Sequence, residues 1–441
     1  MMPFCASYLF IFLPLFMGIY TVLPKNRRSV LISAANIFFA ALSGAGPLIL
    51  CAVCLLCGFF SGIGIYNYRT RPDKIKHRKA LFILNMSLNA GVLAFEGYMT
   101  ASGGLSRSGV LAIGGAVLPL HMISYITDVY RGTAEAQTSF TALTAYAWFF
   151  PSMHIGPVLR YSRFSQYFKA PVMSRRRMSR GIMIYIAGLA EYLLISRRLY
   201  DIWNDMLSVP KDMRGAASIM LSSLIWYTSF LTCIAGMLHM GQGTALMLGF
   251  PVKKPIRRRL VTDDLHGRLL GYNVHITSWM REYIYRPLAE IKGKGIALTL
   301  SVCAVMMWYS FKLSWLCAGV VCTLLMMLQS FIVKKAEYPH KFLYTVMTKL
   351  FTAAAAAVPA LSALWLSGGF PKYKFGFNEN DTETFFFLIS ESWLPLLLGL
   401  VATGSVLPVV IKRINSGLLK LLMPVAEVIL LLLCTAYMIN I

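Results

Sequence analysis

The chain has 441 residues, of which 57% are hydrophobic and only 14% charged, with a net charge of +24. A soluble globular protein carries about 25% charged residues, so this composition excludes an ordinary soluble domain. A mean hydropathy of +0.63 points instead to a polytopic membrane protein. The positive charge does not call for nucleic acid, because Lys and Arg cluster in short loops between apolar runs, as they do on the cytoplasmic side of membrane proteins. There the loops meet anionic lipid headgroups.

A membrane span needs about 20 apolar residues. Such segments are expected near 7–23, 29–44, 47–66, 80–99, 108–127, 181–203, 215–232, 296–311, 313–333, 344–367, 384–411 and 417–441. The first is followed by the basic "PKNRR" with no small-residue cleavage site, so it reads as a retained span rather than a leader. Basic loops 25–28 and 68–79 lie two spans apart. They share a face, which places them inside and the N-terminus outside. Nine Cys fall nearly all within apolar runs. Cys51, Cys54 and Cys57 share a helix face without His or carboxylate company, so packing rather than metal or disulfide chemistry is expected.

Two segments break the pattern. Residues 138–152, "TSFTALTAYAWFFPS", are apolar but short. If they crossed, the basic stretch 160–180 would lie outside, so a re-entrant or interfacial segment is expected. Residues 233–249, "CIAGMLHMGQGTALMLG", are rich in Gly and polar groups and read as broken helix buried in protein. The expectation is one all-α domain over 1–441, with about 11–12 transmembrane helices plus re-entrant and interfacial helices.

In "YNVHITSWMREYIYRPL" (272–288), Ile276, Trp279, Met280, Tyr283, Ile284 and Pro287 make an apolar stripe, and His275, Ser278, Glu282 and Arg286 a polar one. That pattern suits an interfacial amphipathic helix with Trp and Tyr at headgroup level. Upstream, Asp128 and Arg131 are three apart and can pair on a helix. Gly156-Pro157 breaks a helix. Arg160, just beyond it, either holds an anionic or carbonyl oxygen with its fork of donors or anchors the membrane surface.

Several of these blocks resemble the membrane-bound O-acyltransferase superfamily, in its bacterial polysaccharide branch of alginate O-acetylases and lipoteichoic acid D-alanyl transfer proteins. The resemblance rests on "HITSWMREYIYRPL" together with "SYLFIFLPLFMGIYTVLP" (7–24), "LPLHMISYITDVYRG" (118–132), "FFPSMHIGPVLRYSRF" (149–164) and "MLGF" (247–250), in the family's order. It runs from residue 7 to about 335, and the C-terminal spans, 344–441, match only as apolar sequence. The resemblance implies helices around a tunnel, an acyl thioester entering from the cytoplasm (acetyl-CoA or an acyl carrier protein), and a hydroxyl acceptor on an extracytoplasmic glycan or a relay protein. It implies no bound cofactor and no metal. A His in a Trp-His-Gly block within a span would be the general base.

The matching block here is "VMMWYSFKLSW" (305–315), and it reads Trp308-Tyr309-Ser310. The seven His stand at 77, 121, 154, 239, 266, 275 and 340, so no shift of register restores one. A phenol has a pKa near 10 and is a poor base at neutral pH. Lys312, three residues on, either lowers that pKa or marks the membrane edge. Two further departures accompany this one: His239 stands where the branch has Asp, and Glu191-Tyr192 where it has Lys-Lys. The candidate catalytic residues are therefore His275, Tyr309 and His239, and the candidate substrate-binding residues are His154, Arg160, Trp279, Arg281 and Trp308. The activity implied is O-acyl transfer, with acetyl the family's common group, to a cell-envelope polysaccharide. The alternative is an impaired scaffold or partner subunit that keeps the fold. A lipid or glycan transporter is disfavoured by the absence of inverted repeats.

Overall fold

The computed structural model describes residues 5–42, 45–101, 117–153, 155–168, 173–210, 213–256, 271–335, 379–403 and 416–439. Every regular element among them is helical. Among the described residues, five helices are long and apolar enough to cross a membrane: Leu48–Asn67, Pro72–Met99, Arg175–Ser208, Ala216–Met247 and Asp381–Ala402. Shorter apolar helices occupy Tyr8–Val22, Lys294–Tyr309, Trp315–Phe331 and Pro424–Ile439. The chain is thus an all-α, multi-pass membrane protein. The span expected near 344–367 lies outside the described residues.

The helices form two compact units. The first comprises Met1–Tyr185, Leu238–Lys253 and Arg281–Tyr283. It opens with α1 (Leu13–Val22), α2 (Arg28–Leu42), α3 (Ala45–Asn67) and α4 (Ile75–Ala101). Next come α5 (Val117–Arg131), α6 (Phe140–Ala147), α7 (Tyr161–Phe168) and the start of α8 (Arg175–Ala190). Helix α5 packs against α3, α4, α6 and α7, and its residues Val117 to Val129 are all buried. Helix α6 has only 8 residues, with Ser139 Oγ accepting the Ala142 N–H at its start. At about 1.5 Å per residue it is too short to cross a membrane, as the charge pattern around 138–152 requires.

The second unit comprises Ile186–Met237, Lys254–Met280 and Ile284–Ile441. It holds α9 (Arg198–Ser208) and most of α10 (Ala216–Met247), then α11 (Val274–Met280), α12 (Arg286–Lys292), α13 (Lys294–Tyr309) and α14 (Leu313–Lys335). Helices α15 (Glu379–Thr403) and α16 (Ser416–Ile439) complete it. Asp381, at the head of α15, accepts the N–H groups of Gly215, Ala217 and Ser218 and so caps the start of α10.

Helix α10 corrects the expectation of a broken helix at 233–249, because it runs without interruption from Ala216 to Met247. Its glycines serve close approach rather than breakage. A Cβ on Gly243 would stand 2.6 Å from Gly181 O and 2.7 Å from Tyr185 N. One on Gly241 would stand 2.4 Å from Pro151 O, and one on Gly236 would stand 2.6 Å from Gly188 O. Glycine here lets backbones meet, as in other membrane helices.

Candidate functional site

The first polar centre lies in the first unit, between α5, the Gly156–Arg160 loop and Arg281–Tyr283. A directional relay runs through it. The Tyr161 N–H donates to Ser124 Oγ at 3.0 Å, and Ser124 and the Tyr283 hydroxyl meet at 2.7 Å. The Tyr283 hydroxyl donates to Asp128 Oδ1 at 2.9 Å, and the Ser162 N–H to Oδ2 at 2.9 Å. Burial, and after it the Asp128 charge, push the Tyr283 phenol far above its ordinary range. It stays protonated and acts as a donor. His121 braces the same loop. Its Nδ1–H donates to Ala147 O at 3.1 Å, while Nε2 accepts the Leu159 N–H at 2.9 Å, which fixes the neutral Nδ1–H tautomer.

Arg160 turns to a protein carboxylate: its Nη1 lies 3.1 Å from Glu282 Oε2, and Arg131 Nη1 lies 3.9 Å from Glu282 Oε1. The expected Asp128–Arg131 pair is therefore corrected. Asp128 is 4% exposed and takes neighbouring hydroxyl and amide donors, while Arg131, more open to solvent, reaches Glu282. Arg281 is exposed. His239 is half-buried on the part of α10 that belongs to this unit. His154 lies outside the described residues.

The second centre is built within the second unit around Tyr309, the last residue of α13. The polar break in "VMMWYSFKLSW" is a helix end. Ser310 is extended and α14 resumes at Leu313, with Lys312 exposed in the connection. The Tyr309 ring packs edge-on against Phe230 at 5.5 Å and against Trp315 at 6.3 Å. Its hydroxyl meets the side chain of Asn273. Helix α11, which carries His275, packs on α13. Trp279 and Trp308 are 3% and 8% exposed. The structure thus brings Asn273, Tyr309 and the helix of His275 together.

Two expectations for 272–288 need correction. Trp279 is buried in protein rather than exposed on the face of an interfacial helix. The stripe is also not one α-helical register, because Arg281–Tyr285 forms a π-helical segment. The wider turn shifts the residues beyond it relative to a 3.6-residue repeat, and Tyr283 gains polar partners at its tip. Neither Asn273 nor Ser124 stands out in the sequence, since a single Asn or Ser carries no spacing signal.

A helical membrane protein with buried polar centres on the blocks around 118–164 and 272–309 is the class the fold and site define. The chain belongs to the MBOAT, membrane-bound O-acyltransferase family, whose model matches residues 119–356, more than half of it. Among similar curated proteins is the probable alginate O-acetylase AlgI of Pseudomonas syringae pv. tomato, 24% identical over 330 residues, covering 71% of this chain and 63% of that protein. The probable alginate O-acetylase AlgI of Pseudomonas putida is 25% identical over 292 residues, covering 63% of this chain and 59% of that protein. That of Pseudomonas aeruginosa is 24% identical over 306 residues, covering 65% and 57%. The match spans less than two thirds of the length of these relatives.

Proposed function

We propose that the chain is a membrane O-acyltransferase that moves an acyl group, acetyl in the first instance, from a cytoplasmic thioester to a hydroxyl of an extracytoplasmic polysaccharide or another cell-envelope glycan. Membership of the family carries this reading, and the names of the relatives point to a polysaccharide acceptor. The donor is acetyl-CoA or a loaded acyl carrier protein, and the acceptor is the glycan itself or a relay protein of the envelope. The N-terminus is extracytoplasmic.

In this reading His275 is the general base. It lies two residues from Asn273, on a helix packed against the one that ends at Tyr309. An imidazole suits removal of a hydroxyl proton at neutral pH. Tyr309, a neutral phenol, donates a hydrogen bond to the reacting oxygen. Arg160, Arg281 and His154 are candidates for substrate binding, and His239 is the alternative base. Trp279 and Trp308 form apolar walls.

A second reading rests on Tyr309 itself, whose ring is packed against Phe230 and Trp315 at the position where a catalytic His is expected. It makes the chain an inactive scaffold or partner subunit. Radiolabelled acyl transfer decides between them, measured in proteoliposomes with acetyl-CoA or a loaded carrier protein and glycan from the native envelope. Turnover by the wild type that disappears in His275→Ala supports the enzyme. A wild type that transfers nothing, and gains nothing from Tyr309→His, supports the scaffold.

A further inference from the structure

Within the second unit, aromatic rings line up from α9 to the end of α13. Tyr200 and Trp203 of α9 lie 5.8 Å apart, and Trp203 lies 6.4 Å from Trp226 of α10. Trp226 stacks on Phe230 at 5.4 Å, and Phe230 meets the Tyr309 ring at 5.5 Å. Exposure falls along this row: Tyr200 and Trp226 are half-buried, whereas Phe230 and Tyr309 are buried. The outer end also has a side. The span Arg175–Ser208 begins with Arg175, Arg176 and Arg177, whose charge belongs in the cytoplasm, so Trp203 stands near its extracytoplasmic end. Trp203 is 7% exposed and sits among Leu199, Ile202, Met206 and Leu388. Its indole N–H is buried with no hydrogen-bond acceptor among the described residues. A buried Trp N–H ordinarily finds a partner, and leaving such a donor unmatched is costly. A fold that keeps this donor inside a row of rings leaves a place for an oxygen from outside the chain.

We propose that this row of rings binds the acceptor glycan, with pyranose rings stacked on Tyr200 and Trp226 and a sugar oxygen accepting the Trp203 indole N–H. The inference rests on the acyl-transfer reading and names the part of the chain that holds the acceptor. A pyranose has two kinds of surface. Its C–H groups carry slight positive charge and pack on the negative face of an aromatic ring. Its hydroxyl and ring oxygens, at the edge, accept hydrogen bonds. The row offers ring faces and a donor together, as ligand sites combine apolar walls with a few placed polar groups. A lipid tail has no acceptor for the indole, and an indole N–H can only donate, so a cation finds no ligand there. The Tyr200 hydroxyl meets the side chain of Asn204, which fixes the orientation of its ring. Sugar units seated at Trp203 and Trp226 lead along the row to Phe230 and Tyr309, where the acyl-transfer reading places the reacting oxygen. The two Trp residues select an acceptor that carries rings over a small alcohol. They act on acceptor binding and not on the chemical step.

The test uses the full chain in detergent. The probe is a set of oligosaccharides prepared from the native envelope glycan, with glycerol as a hydroxyl compound that has no ring. Saturation-transfer NMR, without any thioester present, reads the site directly. Irradiating the aromatic protons of the wild type is expected to saturate the ring C–H protons of the oligosaccharide and to leave glycerol untouched. Trp203→Phe keeps an aromatic ring but removes the donor. Trp226→Leu and Tyr200→Leu keep apolar volume but remove a ring face, the latter at a half-buried position where folding is least at stake. Thermal melting checks the fold of each. Every variant is expected to weaken oligosaccharide binding about 3- to 10-fold, the weight of one neutral hydrogen bond or one aromatic contact. In acyl transfer, KM for the oligosaccharide should rise by the same factor, with kcat and KM for acetyl-CoA unchanged. A wild type that transfers to the glycan while its folded variants keep the same KM overturns the site and leaves the acyltransferase standing. A wild type whose bound oligosaccharide takes no saturation from aromatic protons also overturns the site. Saturation that weakens in the variants, without any transfer by the wild type, leaves the site standing and sinks the acyltransferase reading.

Discussion

At the scale of single residues, Tyr283 is the joint of the first polar centre. Its hydroxyl joins Ser124 on one side and Asp128 on the other, so Tyr283→Phe deprives a buried carboxylate of a donor. The cost of such a loss is about 1–3 kcal/mol, expected as a lower midpoint in thermal or denaturant melting. The Ser162 N–H still reaches Asp128, so the variant is expected to fold. The same phenol makes stability depend on pH. Its folded pKa is raised by burial and by the Asp128 charge, so the folded state holds the proton more tightly than the unfolded state. Its contribution is fully present below the unfolded phenol pKa of about 10 and falls as pH rises beyond it. Tyr161 is shifted in the same direction, first by burial and then by the Tyr125 and Asp128 neighbours. Melting midpoints between pH 8 and 11 should therefore decline, and less steeply in Tyr283→Phe. Equal slopes in the two proteins would remove Tyr283 as a source of that dependence.

At the scale of elements, α10 and α8 meet backbone to backbone. A Cβ on Gly243 meets the backbone of Gly181 and Tyr185 well inside van der Waals contact, and backbone cannot rotate away. Overpacking of this kind costs about 1–3 kcal/mol. Gly243→Ala should lower the melting midpoint accordingly. Gly91, on α4, has nothing within 4 Å of an added Cβ, so Gly91→Ala should be neutral or gain up to about 1 kcal/mol from helix propensity. If both variants melt alike, packing at Gly243 is not what selects glycine. The same contrast marks where the sequence is legible. Most spans are readable because apolar length is a property of one segment. The role of the α10 glycines is not, because glycine signals a break and a close contact equally well, and only the facing backbone decides. The centres behave likewise. Tyr309 stands out as a polar group in apolar sequence, and Arg160 as the first charge after the Gly156-Pro157 break. Arg131 chooses Glu282 over Asp128 through a contact far along the chain, which local spacing does not carry. The π-helical segment Arg281–Tyr285 hides Tyr283 among apolar positions in the same way.

At the scale of the whole molecule, the placement of the basic loops decides how the donor and acceptor sides are assigned. Lys25–Arg27 follows α1, and the Tyr68–Lys74 connection precedes α4, with α2 and α3 between them. If both helices cross, the two loops share a face, and their charge puts that face in the cytoplasm. Helix α3 is long enough to cross, with 23 residues. Helix α2 has 15, which at about 1.5 Å per residue reaches only part of the roughly 30 Å hydrocarbon layer. Local thinning of the bilayer around a short helix, or basic side chains reaching to the interface from its end, closes such a gap at modest cost. Arg28, at the start of α2, is placed to do the latter. Single cysteines introduced at Asn26 and at Asp73, with the native thiols replaced, test the assignment in intact cells. Both are expected to resist a membrane-impermeant maleimide until the cells are permeabilised. Labelling of one site but not the other in intact cells would mean that α2 does not cross. Labelling of both would invert the orientation and move the thioester donor to the opposite ends of the helices.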